Sequence, residues 1–432
     1  MGLSKSQFVD VAQVLLSAPK GAIDKVDIKA MVDYLGTVTG IFTSTDMNQS
    51  DKTETASGVA ISPVQAAKCF EETVRTQLFA QGVAQAINDC IRENEAPVRI
   101  LYAGTGPYAT LLIPLLAVSD NLPVEITLID IHQENIDAVH KLINHFNLGH
   151  YHIRTHHADA TLWQPQSSQE RFDIIISETM TALLKREPQV YIFKHLVQFL
   201  APEGVLIPQQ VSLKAWLTQG ENKDERAELL GEFFCLDKST SLALSQEDLS
   251  CFSSCLTIPD KDWSGYTVKL TTDIQVYGDL RLTEGDCSLN IAFHFSPYDV
   301  VLAANETIQF DYVAPSSPDF SIVFPKGKWQ CSNYELPTSD DVGRLGLVQL
   351  KRSFQRSFMI KRGERFEVPD PEWHAELVIY DMLGLSCAEV TAKMFALEAF
   401  ADFELWIEEN TVDISHIKVE AINDAFRQRL HV

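Results

Sequence analysis

FDIIISETMTALLKRE, residues 172–187, runs from an apolar stretch straight into a loop carrying two carboxylates, Glu178 and Glu187, nine positions apart. The first six residues are short and β-branched, which predicts a strand buried on both faces of a parallel sheet. Ligands in such sheets bind beyond the carboxyl ends of the strands, so Glu178 leaves the sheet where chemistry is usually found. Two acids brought together there favour a cation. A planar guanidinium offers five N–H donors in a rigid fork, and two carboxylates can hold it from two edges. Without further context, a solvated helix start, where acids favour the helix N-terminus, explains the same pair.

Outward from this stretch, strand and helix patterns alternate over 98–102, 109–117, 124–130, 134–146, 151–157, 172–177, 189–199 and 204–207. Alternation of this kind predicts right-handed crossovers and an α/β, doubly wound, Rossmann-like domain over 96–208. Before it, residues 1–95 read as an N-terminal helical region. Ser62-Pro63 there opens one long helix through residue 90, and the polar run 43–58 reads as an exposed loop. After Pro208, alternating apolar runs predict an antiparallel sheet or a β-barrel-like domain over 209–368, with a helical insertion at 222–248 and a strand at 345–350. Helical patterns return over 369–432 as a C-terminal helical region. Within it, LGLSCAEVTAKMF has the pattern of a helix-turn-helix turn, in acidic surroundings that disfavour DNA.

The 432 residues carry 59 Asp+Glu against 35 Lys+Arg, a formal net charge of -24, which argues against nucleic acid as a ligand and suits a cationic one. Eight cysteines at irregular intervals resemble neither a disulfide framework nor a zinc pattern. The histidines between His132 and His157 also lack ligand spacing. No run approaches the length of a membrane span, so the expectation is a cytoplasmic protein without membrane contact and without a metal.

The strand at 98–102 ends in AGTGPYATLL, with Gly104 and Gly106 flanking one residue. Glycines there permit a tight turn and close approach of a ligand to backbone. Asp130 ends the second strand 26 residues after Gly104, where a carboxylate can accept from both hydroxyls of a ribose. A third glycine is missing, Tyr108 standing in its place, which points to a nucleoside-bearing ligand without a pyrophosphate. In the loop after the third strand, Asp159 either accepts from an adenine amino group or satisfies its own backbone.

The order of these motifs resembles the protein arginine methyltransferase family, within the class I S-adenosylmethionine-dependent methyltransferases. SETMTALLKRE is similar to that family's loop, whose two glutamates frame the substrate guanidinium, and this resemblance implies those roles for Glu178 and Glu187. EETVRT resembles the helix whose arginine holds the methionine carboxylate, implying that role for Arg75; read alone, Arg75 is also a surface charge on an amphipathic helix. FLAPEGVLIP resembles the turn into the last sheet strands before the family's barrel. The resemblance covers residues 62–208 and implies S-adenosyl-L-methionine as cofactor, an arginine-bearing substrate (a peptide or free arginine) and a homodimer. Tyr102 stands where many members carry an acid. The family's Thr-His-Trp element has no counterpart, Lys328-Trp329 and Trp373-His374 being the nearest echoes. Another amine metabolite as acceptor, or a binding protein that kept the fold without turnover, stays open on the sequence.

Overall fold

The computed structural model describes residues 3–44, 52–93, 96–218, 227–263, 266–295, 302–313, 316–324, 353–354, 357, 377–397 and 400–410. Helices α1 (Lys5–Ser17) and α2 (Lys25–Thr39) lead the chain. Ser4 caps α1 in a capping box, and Asp24 accepts from the Val26 N–H at the start of α2. Their apolar faces, Phe8, Ala12 and Leu15 on α1 and Ile28, Met31 and Leu35 on α2, are buried.

Two features of the N-terminal region differ from the sequence expectation. The polar run does not stay a loop: β1 (Thr53–Thr55) and β2 (Gly58–Ala60) pair as an antiparallel hairpin. The single long helix is broken into α3 (Pro63–Cys69) and α4 (Thr73–Glu93). Its pattern is continuous because both pieces bury apolar residues. The break itself is polar: the Thr76 hydroxyl donates to the Phe70 carbonyl at 3.0 Å and so takes an acceptor from the helical ladder.

The strands β3 (Val98–Ala103), β4 (Val124–Asp130), β5 (His152–His157), β6 (Phe172–Ser177) and β7 (Leu200–Ile207) form one parallel sheet in the order β5-β4-β3-β6-β7. Helices α5 (Ile113–Val118), α6 (Gln133–Phe146) and α7 (Gln189–Leu196) connect them. Five of the six residues of β3 and of β6 are buried, as strands covered on both faces require. This is the expected doubly wound arrangement, with α1 packed on α5 and α2 on α6.

Beyond Pro208 come β8 (Gln210–Thr218), β9 (Glu228–Asp237), α8 (Lys238–Ser245), β10 (Ser253–Thr257), β11 (Thr267–Tyr277), β12 (Leu280–Leu282), β13 (Phe293–His294), β14 (Thr307–Val313) and β15 (Asp319–Val323). The expected helical insertion is thus half strand: β9 pairs along β8, because its Phe233, Phe234 and Leu236 supply buried apolar positions. The described strands make two separate antiparallel sheets, β12-β11-β8-β9 with β13 on β11, and β10-β14-β15. Phe233 and Phe234 of β9 stack on Phe310 and Tyr312 of β14 across the two sheets.

In the tail, residues 377–382, α9 (Cys387–Ala396) and α10 (Phe400–Asn410) are helical and share a small apolar cluster that includes Phe354, Val390 and Phe403. The strand expected at 345–350, residues 411–432 and the pairs Lys328-Trp329 and Trp373-His374 lie outside the described residues. No helix among the described residues is long and apolar enough to cross a membrane.

Candidate active site

Strand order reverses at β3, which has β4 on one side and β6 on the other. A crevice opens at such a reversal, at the carboxyl ends of the strands. Ala103 pairs with Ile129 and with Ser177, so Gly104, Asp130 and Glu178 leave the sheet at one level. All three line a cavity of about 910 Å³, together with Arg75, Gly106, Asp159 and Glu187. The seven residues singled out in the sequence therefore meet in one place.

The glycine turn follows β3 with Gly104 at φ +74° and Gly106 at φ +61°. These are left-handed conformations that side chains resist. Packing adds a second requirement, since a Cβ on Gly104 would lie 2.3 Å from Thr179 Cγ2 and one on Gly106 3.3 Å from Ala66. Asp130, 4 % exposed, holds this turn. Its Oδ2 accepts from the Gly106 N–H at 2.9 Å and Thr105 Oγ1 at 3.3 Å, and its Oδ1 from the His132 N–H and Asn135 Nδ2, both at 2.9 Å. The carboxylate that ends β4 is thus the keystone of the turn as well as part of the cavity wall.

Arg75 comes from the first turn of α4 and is 4 % exposed, so it is no surface charge. Its Nε donates to Glu178 and its Nη1 to Glu72 at 3.2 Å. Burial opposes the guanidinium charge, but Glu178 and Glu72 outweigh it and push the pKa well above its ordinary value. Glu72 in turn accepts from the Ser288 N–H at 2.9 Å and the Ser288 hydroxyl at 2.7 Å. Tyr102, fully buried, faces the same group. Desolvation, then the negative charges of Glu178 and Asp130, hold its phenol protonated far above the usual range. Beside them Cys287 is pushed up to about 12 by burial and then by Glu72, so it is a neutral thiol.

Glu187 ends the loop that starts at Glu178. Leu183, Leu184 and Arg186 in this loop have φ of 60°, 54° and 64°, unusual for non-glycine residues. Contacts from the antiparallel sheets hold it: Thr272 Oγ1 accepts the Leu183 N–H at 2.9 Å, the Tyr312 hydroxyl donates to the Leu184 carbonyl at 2.9 Å, and Lys185 pairs with Asp319 at 2.9 Å. Asp159 spends Oδ1 on the Thr161 N–H at 2.8 Å and hydroxyl at 2.7 Å, the backbone-satisfying alternative, while still lining the cavity.

Sequence reasoning gave no role to Glu72 or Ser288. Glu72 stands three residues before Arg75, one helical turn away, and that spacing was the available signal. Ser288 carries no motif. Among the described residues, those beyond Pro208 that line the cavity are Ser288, Leu289, Ile291, Ala292, Phe293 and Asp319, with neither histidine nor tryptophan among them.

No family model matches the sequence, and no curated protein matches it with significance. Among solved structures the chain is similar to a Trypanosoma brucei PRMT1 enzyme-prozyme heterotetrameric complex with AdoHcy, at a TM-score of 0.36 and 14% identity, over 59% of this chain and 93% of that one. Likeness at that level bears on no residue, and the fold described above stands on its own sheet order.

Proposed function

We propose that the protein is an S-adenosylmethionine-dependent N-methyltransferase whose acceptor is a guanidinium nitrogen of arginine, free or in a peptide. The observation that carries this reading is the convergence of Glu178 and Glu187 on the cavity that also holds Arg75, Gly104, Gly106 and Asp130.

The residues present fit the cofactor. The cavity volume lies in the range of small-molecule sites. Arg75 is a buried, permanently charged group for the methionine carboxylate, in partial exchange for Glu178 or Glu72. Asp130 suits the ribose edge, though its oxygens already receive four donors, so a hydroxyl there would replace one of them. The Thr105 hydroxyl makes the longest of those bonds. Asp159 suits the adenine amino group through Oδ2. When bound, this cofactor supplies an electrophilic methyl on a sulfonium.

Guanidinium is a poor nucleophile, since its charge is spread over three nitrogens and its pKa exceeds about 12. Glu178 and Glu187, by pairing with particular N–H groups, draw positive charge away from the attacking nitrogen and stabilise the charge that develops on it. Their second task is alignment, which methyl transfer needs more than it needs a strong base. Tyr102, held neutral, adds no third negative charge to the floor of the site.

A second acceptor class, another amine of a small metabolite, draws support from the apolar stretch Leu289, Ile291, Ala292 and Phe293 on one wall, beside which Asp319 offers a single carboxylate. Incubation with methyl-labelled S-adenosylmethionine and either free arginine or an arginine-rich peptide, read by mass spectrometry, decides between the two. Label on a guanidinium nitrogen is the expected result, and Glu178→Gln and Glu187→Gln should each lower transfer by about 10²-fold or more, with cofactor affinity nearly unchanged in Glu187→Gln. Normal turnover in both variants removes the guanidinium assignment. No heat of cofactor binding at millimolar concentration removes the enzyme reading altogether.

A further inference from the structure

Glu187 sits on a backbone that would not hold its shape unaided. Three left-handed non-glycine residues in the four positions before it cost on the order of 1 kcal/mol or more each, and such strain persists only where the surroundings enforce it. The antiparallel sheets hold one side of this segment, where the Arg186 N–H donates to the Pro318 carbonyl at 2.6 Å. The other side is held by the β1–β2 hairpin, whose Val59 N–H donates to the Arg186 carbonyl at 2.8 Å.

The hairpin reaches that carbonyl because residue 58 has no side chain. A Cβ on Gly58 would lie 2.5 Å from Arg186 O, 3.1 Å from Glu187 C and 3.1 Å from Pro188 N. All three are backbone atoms, so no rotamer change relieves the clash. Three residues further on, the Ile61 carbonyl lies 3.0 Å from His132 Nε2, beside Asp130. Residues 58–61 therefore cross from the Asp130 side to the Glu187 side, and Val59, Ala60 and Ile61 line the cavity between.

We propose that Gly58 is a positioning residue for Glu187: its bare backbone lets the hairpin clamp the Arg186–Pro188 backbone against the antiparallel sheets and so fixes the distance between the two acceptor carboxylates. This rests on the acceptor role proposed for that pair. A side chain at 58 displaces either the hairpin or the 186–188 backbone, and a clamp of two carboxylates tolerates only about 0.5 Å of displacement. The competing account is that Gly58 serves only the hairpin turn, whose two strands meet at the Thr55–Gly58 pair.

Amide hydrogen exchange on the wild-type protein tests the contact without any turnover: the Val59 and Arg186 amides should both exchange slowly, and rapid exchange at Val59 overturns the proposal whether or not a variant folds. In Gly58→Ala, protection should fall at Val59 and also at Arg186 and Glu187. kcat with labelled cofactor and free arginine or an arginine-rich peptide should fall at least about tenfold, with cofactor affinity within twofold of wild type. Thr55→Val is the control. It removes the hydroxyl that donates to the Gly58 carbonyl at 2.7 Å, loosening the hairpin without placing an atom against Arg186. Its kcat should stay near wild type, and a loss equal to that of Gly58→Ala would make the turn, not the clamp, responsible. Wild-type protein inactive on both acceptors would defeat the proposed function while leaving the exchange result to judge the contact.

Discussion

Ser288 grips Glu72 twice, through its N–H at 2.9 Å and its hydroxyl at 2.7 Å, and so joins the residue just before α4 to the cavity wall at 288–293. Glu72 spends the same carboxylate on Arg75 at 3.2 Å. A shift of the 288–293 wall is therefore felt at the guanidinium through one side chain.

Glu72→Gln keeps the shape but removes the charge. The amide can still accept from Ser288, yet Arg75 loses half its counter-charge. Hydrogen bonds to charged groups contribute about 1.5–3 kcal/mol, so the stability of the fold should drop by about that amount. Ser288→Ala keeps the backbone bond and should cost less. Urea denaturation of both variants checks the order, and equal losses would mean that the hydroxyl carries the whole coupling.

Arg75 and Glu178 form a buried pair, with side chains 5% and 13% exposed. Removing one partner strands the other, which typically costs about 3–5 kcal/mol, whereas removing both is far milder. Arg75→Met should therefore lower the denaturation midpoint more than Arg75→Met/Glu178→Gln does. A urea double-mutant cycle measures the coupling. Additive effects would show that the pair is not formed in solution.

Cys287 gives a pH dependence with a definite sign. Its thiol rises from 9.0 in the unfolded chain to about 12 in the fold, chiefly through burial. The unfolded state therefore releases a proton that the folded state keeps, so this contribution is intact below pH 9 and is lost progressively as pH climbs toward 12. Cys287→Ser should flatten the alkaline limb of stability against pH and leave the region below pH 8.5, by roughly the free-thiol value, unchanged in slope. Denaturant midpoints across that range provide the test.

Why the sequence showed the sheet and the seven cavity residues but not their restraints follows from the physics of each. β3, β4 and β6 carry their burial as near-continuous apolar runs, and Gly104, Asp130 and Glu178 sit where those runs end, so local pattern located them. Glu72–Ser288 joins residues 216 positions apart, and no local period encodes such a contact. The helix expected through residue 90 failed at Phe70–Thr73 because the Thr76 hydroxyl takes the Phe70 carbonyl, a polar contact that a continuous apolar pattern does not reveal. The hairpin at 53–60 was hidden for the opposite reason: its residues are polar, and it is held by backbone contact with Arg186 rather than by its own apolar face.

Gly104 offers the sharpest separation of two costs that usually arrive together. A methyl there would meet Thr179 Cγ2 at 2.3 Å, and the residue also has φ +74°. Gly104→Ala should destabilise by about 2–4 kcal/mol, combining overpacking with the left-handed backbone cost of roughly 1–2 kcal/mol. Thr179→Ser removes the clashing carbon and keeps the hydroxyl, which lies 3.1 Å from Gln189 Oε1 and 3.1 Å from Ser177 Oγ. The double variant should then recover the steric part and retain only the backbone part. Thermal denaturation of the four proteins reads both numbers. Complete recovery would mean that the turn tolerates a side chain in the left-handed region, whereas no recovery would place the clash on some atom other than Cγ2.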